Sequence, residues 1–574
     1  MARDLSRLLG PRSVAIFGSG AWCRSVIANL RAMGFVWDIW PVSETQRTVE
    51  GMRCYPSVTA LPAAPDAAMI GPDVPGTETI LIQLRARNAG GAILAGGPGS
   101  EARGAAGDMP VLGPDSLGLL NALDRTALWP DAHGLAPVKR GVAIVAQGPG
   151  LARVFSRQRR GLPLACLLSP GSAADWHKWA EALLADDRVS ALGLQIEAAG
   201  SARALLALGE VAQRLGKPVV VLRPGRDAGA VAQIERAGFA CVTTPESFVE
   251  TLKILHMAGP LPANALAVAS VCEGATTTVA GSAAARGLTF APVGETQAAR
   301  LSKVLGTRAA ASNPLDCRFL SDLPVEESAR VLSELMTGGA VCTLVVADAR
   351  GKSDRAPDVV VEAAVAARER VGMPIALVAP LSDSLSGEDC AALMARGVIP
   401  LMGLGPALDA VQAAITIGVS SCRTGPVMMP VPEAAQGGVR LSTSEARLAL
   451  GLPVHRRDGA VHGAVALDVR VLADPEYGYV LSLRERRQDP RGTAGPEVCA
   501  LLPLADREIE TLLARLGLPS GGNAVVQAVR AVQDYLEAQL GRVAELEISP
   551  LFLTAERAAA GEVRIHVAPA VSGG

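Results

Sequence analysis

The residues best suited to chemistry lie near the start of the chain. Ser13-Val14-Ala15-Ile16-Phe17 reads as a buried strand, and it runs into Gly18-Ser19-Gly20 ahead of a helical stretch from Arg24 to Met33. A strand that feeds Gly-x-Gly into a helix makes an anion site. Backbone N–H groups at the helix start point outward, the macrodipole favours a phosphate, and glycine lets the backbone approach it closely. The dinucleotide fingerprint asks for a third glycine three residues after the second. Cys23 stands there, which weakens a nicotinamide-dinucleotide reading, although Glu44 after the second strand is placed to hold a ribose.

The other reactive residue types do not gather. The ten cysteines are scattered with no C-x-x-C pair, which argues against a zinc site and against a secreted disulfide framework. No metal site is expected, and the cytoplasm is the natural compartment. His177 reads as a helix-start residue and His462 as the lead into a strand. Lys+Arg at 54 nearly balance Asp+Glu at 56, for a net charge of −2. No basic stripe with interleaved aromatics is visible, so nucleic acid is not an expected partner. The first residues lack the apolar core of a signal peptide, and no apolar run reaches the roughly 18 residues of a membrane span, so no membrane is expected either.

These residues need a scaffold, and the patterning supplies one. Short β-branched runs alternate with Ala/Leu-rich helical stretches, the signature of parallel sheets covered by helices. Aromatics are only 3% of the chain, so the cores are built from Ala, Val and Leu. At 574 residues the chain divides into several domains. The first, residues 1–125, has strands at Ser13–Phe17, Val36–Val42, Ala67–Ile70 and Gly91–Leu94. The second, 137–258, has strands at Val142–Val145, Ala191–Ile196 and Pro218–Leu222. The third, 259–421, has strands at Ala265–Val271, Thr343–Val346, Pro374–Val378 and Val398–Leu401. Residues 422–440, with Pro426, Pro430 and Pro432, form a linker, and 441–574 form a smaller, more charged domain.

Several segments carry a resemblance. Pro11-Arg12-Ser13-Val14-Ala15, Gly51-Met52-Arg53-Cys54-Tyr55-Pro56-Ser57-Val58 and Leu112-Gly113-Pro114-Asp115-Ser116-Leu117-Gly118 resemble the CoA-binding domain of the NDP-forming (ADP-forming) acyl-CoA synthetases. Gly216-Lys217-Pro218 through Gly225-Arg226 and Asn313-Pro314-Leu315-Asp316 resemble the two succinyl-CoA ligase-like domains of that family. Asp474-Pro475-Glu476-Tyr477-Gly478 and Leu546-Glu547-Ile548-Ser549-Pro550-Leu551 resemble pieces of its ATP-grasp domain. The resemblance implies an α/β protein with a Rossmann CoA-binding domain, two flavodoxin-like succinyl-CoA ligase domains and a truncated ATP-grasp-like C-terminal domain. It implies that CoA or acyl-CoA meets Gly18, Ser19 and Gly20 at its pyrophosphate, Ser43 near its adenosine, and Pro114, Asp115 and Ser116 near its thiol end. It also offers Glu197, Asn313 and Asp316 as candidate catalytic residues.

Departures from the family pattern fall on the phosphate chemistry. The family carries its phosphoryl-accepting histidine in a loop after the Gly-Arg; here Gly225-Arg226-Asp227-Ala228-Gly229 leads straight into a helix, and none of the six histidines stands in that setting. The family's Ser-Gln-Ser-Gly loop reads Ala146-Gln147-Gly148-Pro149-Gly150, which loses two hydroxyl donors. The Asn of the Gly-Pro-Asn-Cys turn is Asp115 and its Cys is Ser116. No lysine follows Lys352, and the last domain has no room for a whole ATP-grasp. Phosphoryl transfer needs cations and metal around its phosphates, so these departures argue against ATP/ADP and Mg serving this chain alone. The expectation is a protein that binds CoA, with a CoA thioester or small carboxylic acid as substrate, as a homodimer or with a partner ligase subunit. A non-catalytic CoA sensor or scaffold and an NAD(P)-binding Rossmann enzyme are the alternatives.

Overall fold

The computed structural model describes residues 4–18, 20–96, 104–171, 175–197, 202–225, 227–272, 274–348, 359–430, 439–453, 465–486, 497–518, 523–539, 541–553 and 558–568. They form two compact units, one of Met1–Arg223 with Ser386–Ala392 and the other of Pro224–Leu385 with Leu393–Gly574. Among the described residues no helix is long and apolar enough to cross a membrane.

In the first unit, Ser13–Phe17, Asp38–Val42, Ala67–Ile70, Ala92–Leu94 and Val111–Leu112 make a five-stranded parallel sheet in the order 2-1-3-4-5. The central strands are apolar on both faces because helices such as Gly20–Met33 cover them, burying Cys23, Val26, Ile27, Leu30 and Met33. A second sheet starts with Gly141–Ala146, Leu164–Ser169, Val189–Gln195 and Val219–Leu222, also parallel and in the order 2-1-3-4. A hairpin of Gly118–Asn121 and Thr126–Leu128 extends that sheet by pairing antiparallel with Leu164–Ser169. The domain boundary expected at 125 therefore lies inside a hairpin. Gly118 makes the hairpin's close approach: at φ +114° its missing Cβ would stand 1.9 Å from the Leu128 carbonyl oxygen.

In the second unit, Leu266–Ser270, Leu315–Asp316, Cys342–Val346, Ile375–Ala379 and Ile399–Met402 form another parallel sheet in the order 2-1-3-4-5. The last domain is antiparallel. Its strands Val439–Arg440, Ala558–Val567, Val543–Leu553, Val465–Asp474, Gly478–Glu485 and Glu497–Leu501 neighbour one another in that order. Helices Thr443–Leu450, Asp506–Arg515 and Asn523–Ala538 bury their apolar faces in the same core as the sheet. Ser442 and Glu445 close a capping box at the first of these helices. Helix Ala228–Arg236 also packs on this sheet, where the missing Cβ of Gly229 would lie 2.4 Å from the Tyr477 ring.

One buried ion pair braces this unit. Lys253 and Glu250 are fully buried on helix Pro245–Met257 and lie 2.8 Å apart. The Lys253 ammonium also donates to the Pro400 carbonyl, and the Met402 N–H donates to Glu250. Lys253→Met strands a buried carboxylate and is expected to cost about 3–5 kcal/mol. Adding Glu250→Gln keeps an acceptor for Met402 and recovers most of that loss. Chemical denaturation of both variants checks this, and equal losses would contradict it.

Candidate functional site

A cavity of about 530 Å³ opens at the C-terminal ends of the first three strands of the N-terminal sheet. Its wall includes Gly18, Trp22, Ser43, Glu44, Asp73 and Val74. Parallel sheets place their ligand crevice here, where the strand order reverses. Gly18 (φ +136°) and Gly20 (φ +73°) take backbone conformations that side chains resist, and the helix begins at Gly20. Gly71 brings the third strand's exit loop against the first strand: its missing Cβ would lie 3.2 Å from the Phe17 carbonyl and 3.3 Å from the Trp22 ring.

Gly18, Ser43 and Glu44 thus come together on one cavity. Gly20 starts the adjoining helix, and Ser19 lies outside the described residues. The Ser43 hydroxyl accepts from the N–H groups of Thr45 (3.3 Å) and Gln46 (3.2 Å), so it also shapes the turn that presents Glu44. Glu44 and Asp73 are exposed carboxylates on the wall, and no Lys or Arg lines it among the described residues. Trp22 and the Gly71–Gly76 loop escaped sequence reasoning. An aromatic two residues past the Gly-x-Gly, in a chain so poor in aromatics, was the available signal.

Pro114, Asp115 and Ser116 are not among the residues lining that cavity. They form a turn with Asp115 at φ +57° and exposed, a left-handed position that Asp tolerates as Asn does. Ser116 is 3% exposed. Its hydroxyl donates to the Ser169 carbonyl (2.5 Å) and accepts from Gly118 N–H (2.9 Å). The missing Cβ of Gly171 would overlap the Pro114 carbonyl oxygen at 2.0 Å, so the two turns lie backbone against backbone. Ser116 joins the first sheet's last turn to the second sheet.

Glu197 is exposed at the end of strand Val189–Gln195. Its N–H donates to the Gln147 side chain (3.1 Å), and Gly148 N–H donates to the Gln195 side chain (2.8 Å). The Glu197 carboxylate lies 2.9 Å from where a Cβ on Gly148 would stand, so glycine at 148 makes its room. Asn313 and Asp316 belong to the second unit. The Asn313 amide donates to the Leu266 and Ala291 carbonyls and accepts from Val268 N–H, which ties it to the sheet rather than leaving it free for catalysis. Asp316 pairs with Arg318 at 3.2 Å on the surface.

Helix Ala228–Arg236 follows strand Val219–Leu222 with only Arg223 to Asp227 between them, and Asp227 caps it by accepting from Gly229 and Ala230. His133, His177, His256 and His566 lie away from that junction in sequence; His133 accepts from Leu135 N–H, His177 stands in the first turn of a helix and His566 faces Glu545 on a strand. His455 and His462 lie outside the described residues. In the last domain two carboxylates have partners of their own. Glu547 pairs with Arg564 (3.3 Å), and Asp468 accepts from Ser549 (2.7 Å) beside Arg486. No group of metal-ligating side chains occurs among the described residues. Buried thiols are inert as nucleophiles: burial pushes Cys23 up to about 11 and Cys317 up to about 12.

A crevice at the switch point of a parallel sheet, with a glycine turn leading into a helix, defines a nucleotide-type binding domain. Comparison with known families gives it a more definite place. A CoA binding domain matches residues 12–122, and a succinyl-CoA ligase-like flavodoxin domain matches residues 139–253. The chain thus contains a CoA binding domain followed by a succinyl-CoA ligase-like flavodoxin domain. A trans-feruloyl-CoA synthase from an unknown prokaryotic organism is 25% identical over 395 residues, covering 60% of this chain and 55% of that protein. An ADP-forming acetate–CoA ligase of Archaeoglobus fulgidus is 28% identical over 102 residues, 17% of this chain and 15% of that protein. The chain therefore matches about half the length of the first relative and much less of the second. Among solved structures, a protein of Pyrococcus horikoshii superposes with a TM-score of 0.63 at 19% identity, over 72% of this chain and 99% of that one. The apo dinucleotide forming acetyl-coenzyme A synthetase 1 of Ca. Korarchaeum cryptofilum gives 0.60 at 18% identity, over 72% and 97%. At these identities the superpositions show a shared fold.

Two carboxylates on the cavity wall oppose a polyanionic ligand such as CoA. Glu44→Gln is expected to tighten CoA about threefold at low ionic strength, with the gain shrinking as salt rises. Titration calorimetry at two salt concentrations checks it; unchanged or weaker binding would contradict it.

Proposed function

We propose that this chain is a CoA- or acyl-CoA-binding member of the NDP-forming acyl-CoA synthetase family that no longer carries the phosphoryl relay within itself. The CoA-binding match over 12–122, coinciding with the cavity at Gly18, Ser43 and Glu44, carries the reading. CoA would lie with its pyrophosphate at the Gly18–Gly20 turn and its thiol toward Pro114 and Asp115. Its reaction partner would be a CoA thioester or a small carboxylic acid. Glu197, whose N–H donates to Gln147, matches by resemblance a carboxylate that supports the phosphohistidine in that family, and it is the remaining candidate for a catalytic role.

The short connection before helix Ala228–Arg236 and the arginine-paired carboxylates Glu547 and Asp468 support the absence of an ATP-driven step in this chain alone. ATP and Mg would then be handled by a partner subunit, or the chain would bind CoA without turning it over. A dinucleotide is the second reading, and Glu44 on the cavity wall favours it, since a carboxylate at the end of the second strand suits a ribose diol.

Calorimetry is expected to give a saturable heat with CoA or acetyl-CoA that Gly18→Val abolishes, because valine at φ +136° strains the turn beside Trp22 and Val74. A heat with NAD and none with CoA would favour the second reading and overturn the first. The chain alone is expected to form no thioester from ATP, a carboxylic acid and CoA. ADP release coupled to thioester formation would overturn that, and activity recovered with a co-purified subunit would identify a ligase component.

A further inference from the structure

The cavity of the N-terminal sheet has a direction. Ser43 and Glu44 follow the second strand, Gly18 the first, the Gly71–Gly76 loop the third and Pro114–Asp115 the fifth, and these strands lie in the order 2-1-3-4-5. A ligand whose diphosphate meets the glycine turn and whose thiol points toward Pro114 therefore sets its other end, the adenosine ribose, beside Glu44. In a parallel sheet of this kind the end of the second strand is where a carboxylate takes up a ribose diol.

That end of the cavity suits a diol and opposes a phosphate. Glu44 and Asp73 are exposed carboxylates, and no Lys or Arg lines the wall among the described residues. Arg47 and Arg53, the nearest cations to Glu44 along the chain, stand off the wall, and the Arg53 guanidinium lies over the Tyr55 ring, 5.7 Å from its centre. The hydroxyls beside Glu44 are turned on one another: Ser43 and Thr45 hydrogen-bond at 3.3 Å, and Ser57 and Thr59 at 2.8 Å. A carboxylate can accept both O–H groups of an unmodified ribose. A 3′-phosphate removes one of those donors and brings about two negative charges toward Glu44.

We propose that Glu44 makes this cavity selective for a pantetheine nucleotide whose ribose carries no 3′-phosphate, so that dephospho-CoA or its thioester is preferred to CoA. The inference rests on the CoA-type reading of the cavity and sharpens it. Asp73 has a different part. It follows the third strand, on the far side of the glycine turn from Glu44, and opposes the diphosphate that both ligands share. Glu44 stands at the end where the two ligands differ.

Titration calorimetry of the full chain with CoA and with dephospho-CoA, at low and at raised ionic strength, tests this. Dephospho-CoA is expected to bind about tenfold more tightly at low ionic strength, with the gap narrowing as salt rises. Glu44→Gln, an isosteric change at an exposed position, is expected to bring the ratio down to about twofold, by tightening CoA and weakening dephospho-CoA. Asp73→Asn is expected to tighten both ligands and keep the ratio. Heat with neither ligand would overturn the CoA-type reading and this inference together. Equal affinities, a preference for CoA, or a ratio that Glu44→Gln leaves unchanged would overturn this inference alone.

Discussion

The reversal of strand order in the N-terminal parallel sheet is the constraint from which the rest follows. With the second strand on one side of the first and the third on the other, the loops leaving Phe17 and Ile70 part in opposite directions. The gap between them cannot be filled by backbone, and Gly18 and Gly71 keep side chains from filling it. What remains is a crevice beside a helix N-terminus, suited to a nucleotide pyrophosphate. The second sheet and the third-domain sheet show the same sequence of neighbours. Nevertheless, the glycine turn that opens a cavity in the first sheet is replaced in the second by Gly148-Pro149, a turn closed by Gln195 and Glu197.

Much of this architecture was legible in the residues. Runs such as Ser13–Phe17, Val219–Leu222 and Ile375–Ala379 are continuous and β-branched because both faces are buried, and they announced themselves. The hairpin of Gly118–Asn121 and Thr126–Leu128 did not, since nothing local tells a strand which sheet to join. Leu164–Ser169 was missed because an apolar run between Gly161 and Pro170 fits a strand or a buried helix equally. In the last domain Gly478–Glu485 and Glu497–Leu501 alternate weakly, and their place was set by tertiary packing against Ala228–Arg236.

The site was legible in part. Gly18, Ser43 and Glu44 were found because strand–turn–helix spacing is a local property, and the cavity brings all three together. Ser116 and Asn313 have the residue types of chemistry and spend their polar atoms on backbone partners, which only three-dimensional neighbours reveal. The short connection between Val219–Leu222 and Ala228–Arg236, by contrast, was visible in the sequence, and Asp227 capping the helix directly gives it its physical form.

The central claim is that a glycine turn grips CoA in a body that has lost its phosphate relay. Hydrogen–deuterium exchange with CoA, and then with ATP and Mg added, addresses both halves in one sample. The account predicts slower exchange in peptides spanning Phe17 to Cys23, Val42 to Thr45 and Gly71 to Gly76 when CoA is present, and no further change in Val465 to Leu553 when ATP and Mg follow. Unchanged exchange around Gly18 with CoA, or strong protection of the last domain by ATP and Mg, would contradict it.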